Sequence, residues 1–481
     1  MVPRIASVVK KVAMGLAIVL VVFLAARVYE SQRGPALHVW HTWTGQEMTA
    51  AAIDDATFDE YLQQEAAIFH DLERNVSETA SDDAGVYNRY DPQSPVYPGH
   101  FDTNWNRSFV LMPTGQPRGA AVLLHGLTDS PYSMRALAEE YQHQGFVAVV
   151  IRMPGHGTAP GALTDVDWEA WLAATRLAVR EATRLTGPQL PLELVGYSNG
   201  GALAMKYTLD SLQDKSLRRP QQVVLLSPMI GVTAFARFAG LAGLPAVFPA
   251  FAKAAWLNVV PEFNPFKYNS FPVNAARQSY LLTKSLQQQI LQASRDHLLG
   301  NLPPVLTFQS VMDSTVSARA VVESLYRYLP DNGSELVIFD INQAAGYRPL
   351  FKPQVYSAVA SLLPPPPRQY STTVVTNADD ATSDVVALTI PAGELTETTE
   401  PLGLRWPQDM YSLSHVAVPF PMNDALYGGE PEAKNRYGIS IGTMSLRGET
   451  SVLIVGLDGL MRATANPFYP WMVQQIQRHL P

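Results

Sequence analysis

The sequence predicts an α/β fold in which a mostly parallel sheet carries helices on both faces. Three observations lead there. Short apolar stretches that read as buried strands (Ala120 to Leu124, Val147 to Ile151, Leu192 to Val195, Val223 to Leu226) alternate with helical patterns at Met134 to Gln144 and Asp167 to Leu185, the order expected of strands joined by crossover helices. One strand, Leu192 to Val195, runs straight into Gly196-Tyr197-Ser198-Asn199-Gly200 and then into the helical pattern of Ala202, Leu203, Ala204, Met205 and Tyr207. Finally, the alternation stops at Gly231 and resumes at Pro304, so the intervening stretch reads as an insertion into the same sheet.

Bulk composition bounds the rest. The 481 residues suffice for one large domain with insertions or for two ordinary ones. A hydrophobic fraction of 47% and a charged fraction of 16% are those of a well-packed globular chain. The net charge of -8 and the lack of a basic arm argue against nucleic acid as a partner. With 0 cysteines, disulfides, thiolate catalysis and Cys-ligated zinc are excluded. The 37 prolines point to many loops.

Taken in order, residues 1–34 read as a signal anchor or signal peptide. Arg4 and Lys10-Lys11 precede the apolar run Val12 to Ala26, and Arg27 closes it. Cleavage after Ala26 would place Leu24 at the -3 position, where a small residue is wanted, so an uncleaved anchor is favoured over a cleaved signal. Lysines ahead of the run keep the N-terminus inside, which puts the catalytic part outside the cytoplasm. Residues 35–105 form an N-terminal extension. Gly34 to Gln46 reads as a linker, and Thr57-Phe58-Asp59-Glu60 is a capping box ahead of an amphipathic helix over Phe58 to Arg74. The main domain spans 106–481. Within it, 231–301 is an apolar, aromatic-rich helical cap with few charges, and 343–410 is a Pro-rich insertion with a possible strand at Asp384 to Ile390. Pro467 to Leu480 reads as a closing helix.

The strand–turn–helix context is what a Gly-x-Ser-x-Gly sequence needs to act as a nucleophile elbow. Gly196 and Gly200 let strand and helix approach, and Ser198 is left standing above a helix N-terminus that favours developing negative charge. A second match, Gly438-Ile439-Ser440-Ile441-Gly442, lacks both flanking elements and reads as strand or turn material.

Leu123-Leu124-His125-Gly126-Leu127-Thr128, Arg152-Met153-Pro154-Gly155-His156-Gly157 and Gly196-Tyr197-Ser198-Asn199-Gly200-Gly201 occur in this order. Together they resemble the α/β-hydrolase superfamily, within its lysophospholipase and monoacylglycerol-lipase-like branch, over about Asn106 to Gln343 plus a segment around His415. The resemblance implies the α/β-hydrolase fold and a triad in the order Ser, acid, His. Ser198 is then the nucleophile. Asp313, in Asp313-Ser314-Thr315-Val316 after a late strand, matches the family's acid loop, with Asp340 after the next strand as its rival. His415, in a loop after the last strands, is favoured as base over His297 and His479. The oxyanion-hole donors carried over are the backbone N–H groups of Leu127 and Asn199, while His125 and His156 read as turn residues. Neither a cofactor nor a metal is expected, since no H-E-x-x-H occurs.

The expected activity is hydrolysis of a carboxylic ester with an acyl chain, such as a lipid or lysolipid ester, through an acyl-enzyme. Amide, peptide or thioester cleavage on the same triad is the alternative, as is a non-catalytic binding protein of the same fold. The cap is expected to roof the acyl chain, with Phe248 and Trp256 as first candidates for lining it. The expected partners are the ester substrate and, through the N-terminal segment, a membrane.

Overall fold

The computed structural model describes residues 2–80, 85–231, 244–247, 249–344, 351–432, 436–444 and 461–480. Twelve strands are present among them: β1 (Phe109–Leu111), β2 (Gly119–Leu124), β3 (Phe146–Ile151), β4 (Leu192–Tyr197), β5 (Gln222–Leu226), β6 (Trp256–Asn258), β7 (Phe271–Pro272), β8 (Val305–Ser310), β9 (Glu335–Phe339), β10 (Ser371–Asn377), β11 (Asp384–Ile390) and β12 (Thr398–Arg405). Ten form one sheet in the order β1-β3-β2-β4-β5-β8-β9-β10-β11-β12, and β6 and β7 form a separate pair. The sheet is parallel from β3 across to β10. It is antiparallel at its two margins, β1 on β3 and β10–β11–β12.

Period-two alternation explains why helices cover both faces. Ala120, Val122 and Leu124 of β2 join a core with Trp171 and Leu177 of helix Trp168–Thr186 and with Leu203 of helix Asn199–Gln213. Ala121 and Leu123 face the other way, toward Met134 and Leu137 of helix Tyr132–His143 and Trp471 and Met472 of helix Tyr469–Arg478. With both faces covered, every residue of β2, β3 and β4 is buried. The C-terminal ends of the central parallel strands are where a ligand meets such a layer.

Two stretches depart from expectation. The stretch 343–410 is not outside the sheet, because β10 pairs in parallel with β9 and is followed by β11 and β12, the last largely exposed with Glu400 and Arg405 on an edge. Gly34 to Gln46 is not a free linker. Val39–Thr42 is a short helix whose Trp40 and His41 are buried, Trp40 stacking on Tyr90. The extension as a whole is tied to β3 by a buried charge network. Arg152 donates to both oxygens of Glu47 at 2.7 and 3.0 Å and to Glu65 at 3.1 Å, and Tyr61 donates to the Arg152 carbonyl at 2.6 Å. The capping box at Thr57 forms as expected, starting helix Phe58–Leu72.

The N-terminal segment is one continuous helix, Val2–Gln32. Within its stretch Val9–Gln32, an 18-residue window has a mean hydropathy of 2.4 and none of that window is buried. The helix extends beyond the apolar run at both ends, taking in Lys10 and Lys11 before it and Arg27 to Gln32 after it.

Candidate active site

Strand β4 ends at Tyr197, and the helix Asn199–Gln213 begins one residue after Ser198. Such a tight reversal leaves Ser198 at φ 54°, ψ −115°, a conformation that side chains rarely adopt. The surroundings hold it there. Its N–H donates to the Leu226 carbonyl at 3.0 Å, and its own carbonyl accepts from Gly201 at 3.0 Å and Met229 at 2.9 Å. The glycines are required by contact: a Cβ at Gly200 would overlap the Leu124 carbonyl of β2, and one at Gly201 would lie 2.7 Å from the Pro228 ring.

His415 opens the short turn His415–Ala417, and Asp313 follows β8. The structure brings the two together, with His415 Nδ1 2.8 Å from Asp313 Oδ2 and both side chains at most 4% exposed. Asp313 Oδ1 accepts from the N–H groups of Thr315 and Val316 at 2.8 and 3.0 Å, and Oδ2 also accepts from Gln309 Nε2 at 3.1 Å. Burial alone would push this carboxyl up. The His415 ring and the two backbone donors outweigh burial and hold it below the usual carboxylate range. The His415 ring lies against the Tyr197 ring, centroids 5.3 Å apart.

Ser198 and His415 line the same cavity of about 360 Å³, together with Leu127, Met229, Lys267 and Phe271. Its rivals lie elsewhere. Asp340 accepts from Ile341 N–H and from Thr376 Oγ1 and is pushed up by burial, with no histidine bonded to it among the described residues. His479 pairs with Glu335 at 3.5 Å at the end of the closing helix, and His297 caps a short turn in a left-handed conformation. Ser440 lies in a loop between Gly438, where a Cβ would strike the Pro95 carbonyl, and Gly442, where one would strike the Tyr427 carbonyl.

The turn after β2 passes directly over the nucleophile. A Cβ on Gly126 would sit 3.2 Å from Ser198 Cβ. Leu127 follows it into the cavity, while Asn199 is the first residue of its helix, so its N–H has no acceptor within that helix. His125 spaces this turn. Its Nε2 accepts from Met153 N–H at 3.0 Å and its Nδ1 bonds the Gly126 carbonyl at 2.9 Å, while burial lowers its pKa to about 4 and keeps the ring neutral. His156 lies edge-on to it at 5.0 Å, its own pKa held well below the usual range by burial.

The 231–301 stretch braces the same turn at two points that sequence reasoning missed. Tyr268 N–H donates to the Thr128 carbonyl at 2.9 Å, and Lys267 Nζ pairs with Asp129 at 2.8 Å. Lys267 was visible as one of few charges in an apolar stretch, but no spacing links it to Asp129. Phe271 and Met229 line the cavity, and Trp256 does not. Trp256 is buried away from it, edge-on to His41 at 4.9 Å, and Phe248 lies outside the described residues.

A parallel sheet of this order, with a strained serine at the β4 elbow and an Asp–His pair beside its cavity, defines the class. The chain has the α/β-hydrolase fold, and over its matched part it resembles the serine hydrolases built on that fold. Residues 115–332 match the family described as serine aminopeptidase, S33. A stretch of 53 residues is 38% identical to the thermostable monoacylglycerol lipase of Bacillus sp. (strain H-257), covering 11% of this chain and 21% of that protein. This chain thus spans about a fifth of the curated relative it matches. Among solved structures, a metagenome-derived lipolytic enzyme described with LipS and LipT aligns at TM-score 0.38 and 20% identity over 54% of this chain and 97% of its own. A soluble variant of the Saccharomyces cerevisiae monoglyceride lipase aligns at TM-score 0.37 and 16% identity over 48% and 81%.

Proposed function

We propose that the protein is a membrane-anchored esterase that cleaves carboxylic esters bearing an acyl chain through an acyl-enzyme on Ser198. The observation that carries this reading is the 2.8 Å contact of His415 Nδ1 with Asp313 at the edge of the cavity that holds Ser198. With Nδ1–H donated to Asp313, the Nε2 lone pair is free to take the Ser198 proton. Ser198 Oγ then attacks the ester carbonyl. The N–H groups of Leu127 and Asn199, with the positive end of the helix Asn199–Gln213, stabilise the oxyanion. The imidazolium returns the proton to the leaving alcohol, and water repeats the sequence to release the acid.

The apolar walls at Met229 and Phe271 favour an acyl chain over a polar group. The apolar helix Val2–Gln32 acts as the anchor, with the catalytic domain outside the cytoplasm. In domain terms, 1–34 anchors, 35–105 buttresses β3, 231–301 caps the site and 343–410 widens the sheet. The match to a serine aminopeptidase family favours one second reading, cleavage of an amide on the same triad. Steady-state kcat/KM for p-nitrophenyl esters against the matching p-nitroanilides separates them. The esterase reading expects ester turnover that Ser198→Ala abolishes; anilide turnover exceeding ester turnover would replace it with the second reading.

A further inference from the structure

The anchor helix does not leave the body freely; its C-terminal end is fastened to the cap. Arg27 donates from its guanidinium to the Trp256 carbonyl, and Gln32 Nε2 donates to the Ala250 carbonyl at 3.1 Å. Lys253 Nζ donates back to the Gly34 carbonyl at 2.9 Å. These three bonds fix the level of the cap relative to the helix axis. Arg27 is the first charged residue after the apolar run, so it marks the border between hydrocarbon and headgroups. Gln32 lies five residues further, about 7.5 Å along the axis. The headgroup layer on each side of a bilayer is about 5–8 Å thick. Residues 250–256, bonded at both levels, therefore sit within that layer.

Composition agrees with that placement. From 231 to 261 the sequence has no Asp or Glu, and its only charges are Arg237 and Lys253. An apolar, basic, acid-free segment is suited to an anionic lipid surface. The path from this surface to the nucleophile is short. Trp256 pairs with Pro272 across β6–β7, and neighbouring Phe271 lines the cavity around Ser198.

We infer that residues 250–253, exposed or half-buried, present a second bilayer-contacting surface held at headgroup level by the anchor, with buried Trp256 behind it, and that the cavity takes its ester from the same bilayer. The inference rests on the anchor and esterase readings above. The substrate class it names is an amphiphilic ester resident in the lipid surface, not one dissolved in water.

The chain has no cysteine, so Ala250→Cys gives the full-length protein a single thiol at an exposed position. Asp331→Cys, exposed ahead of β9 and so at the N-terminal ends of the parallel strands, opposite the ends that border the cavity, is the control. Each is labelled with a fluorophore and reconstituted into phosphatidylcholine–phosphatidylglycerol vesicles containing a lipid with a nitroxide headgroup. Quenching at position 250 should exceed that at 331 at least about threefold, as expected of a site in the headgroup layer. Equal, weak quenching in protein that resists carbonate extraction would overturn the bilayer-contacting surface and leave the anchor standing. Protein released by carbonate would overturn both. In parallel, a fluorogenic long-chain ester placed in the protein's own vesicles should be cleaved at least about tenfold faster than in separate vesicles, because lateral delivery replaces transfer through water. Equal rates, with p-nitrophenyl acetate still turned over, would overturn delivery from the bilayer without touching the esterase reading.

Discussion

Replacing Asp313 by Asn isolates the role of one proton. The site leaves the amide one good orientation. Thr315 and Val316 N–H groups, at 2.8 and 3.0 Å, demand an acceptor where Oδ1 now stands. The amide oxygen must take that place, which turns the NH₂ toward His415 Nδ1, 2.8 Å from the present Oδ2. His415 can then only accept there, its proton moves to Nε2, and it can no longer take the Ser198 proton. A wrong tautomer with intact geometry costs about 10⁴ in kcat, or about 5.5 kcal/mol of transition-state stabilisation. The assay is kcat on p-nitrophenyl butyrate, with circular dichroism and Tm to confirm folding. Asp340→Asn, whose carboxylate bonds Ile341, Thr376 and Gln343 rather than the His415 ring, should stay within about threefold of wild type. Retention of more than a tenth of kcat by Asp313→Asn, or an equal loss in Asp340→Asn, would refute the tautomer argument.

Other expectations follow from the same geometry. Gly126→Ala puts a methyl 3.2 Å from Ser198 Cβ and 2.7 Å from Asp129 Oδ2, displacing the turn that carries Leu127; kcat should fall about 10²-fold, as for loss of one oxyanion donor, and unchanged turnover would rule that turn out. Phe271→Ala should lower kcat/KM for dodecanoate far more than for acetate, since each buried CH₂ contributes about 0.8 kcal/mol; a uniform loss would mean Phe271 does not touch the acyl chain. Glu193, buried on β4 with Tyr141 donating to it at 2.6 Å, is pushed up by burial to about 7. The folded state thus binds this proton more tightly than the unfolded chain, so its stabilising contribution is complete below about pH 4.5 and is lost as pH rises through about 7. Urea melts at pH 4.5 and 8 should show about 3 kcal/mol less of this pH-dependent loss in Glu193→Gln than in wild type; equal losses would place the Glu193 pKa near its ordinary value.

What could be read from sequence was what local rules determine. The β4 elbow was legible because a sharp strand-to-helix reversal leaves no room for a Cβ two residues to either side of Ser198, and that need is written in Gly196, Gly200 and Gly201. The parallel centre was legible because strands buried on both faces are apolar throughout. Long-range contacts were not. Asp313 and His415 lie 102 residues apart, and their pairing came from resemblance, since no periodicity connects them. Strands β10 and β12 were hidden by prolines and polar residues that suit a sheet margin as well as a loop. Lys267–Asp129 and the docking of Gln32 on Ala250 join elements 138 and 218 residues apart, where only the folded chain brings the partners together. Trp256 misled because an aromatic in a cap reads the same whether it faces the ligand or, as here, His41.

The central claim is that Ser198 is the nucleophile of this chain, and covalent labelling tests it most directly. The full-length protein is treated with a fluorophosphonate, and the adduct is located by peptide mass mapping. The account predicts one adduct, on the peptide containing Ser198, that disappears in Ser198→Ala and persists in Ser440→Ala. An adduct on Ser440, or ester turnover that survives with Ser198 absent, would contradict it.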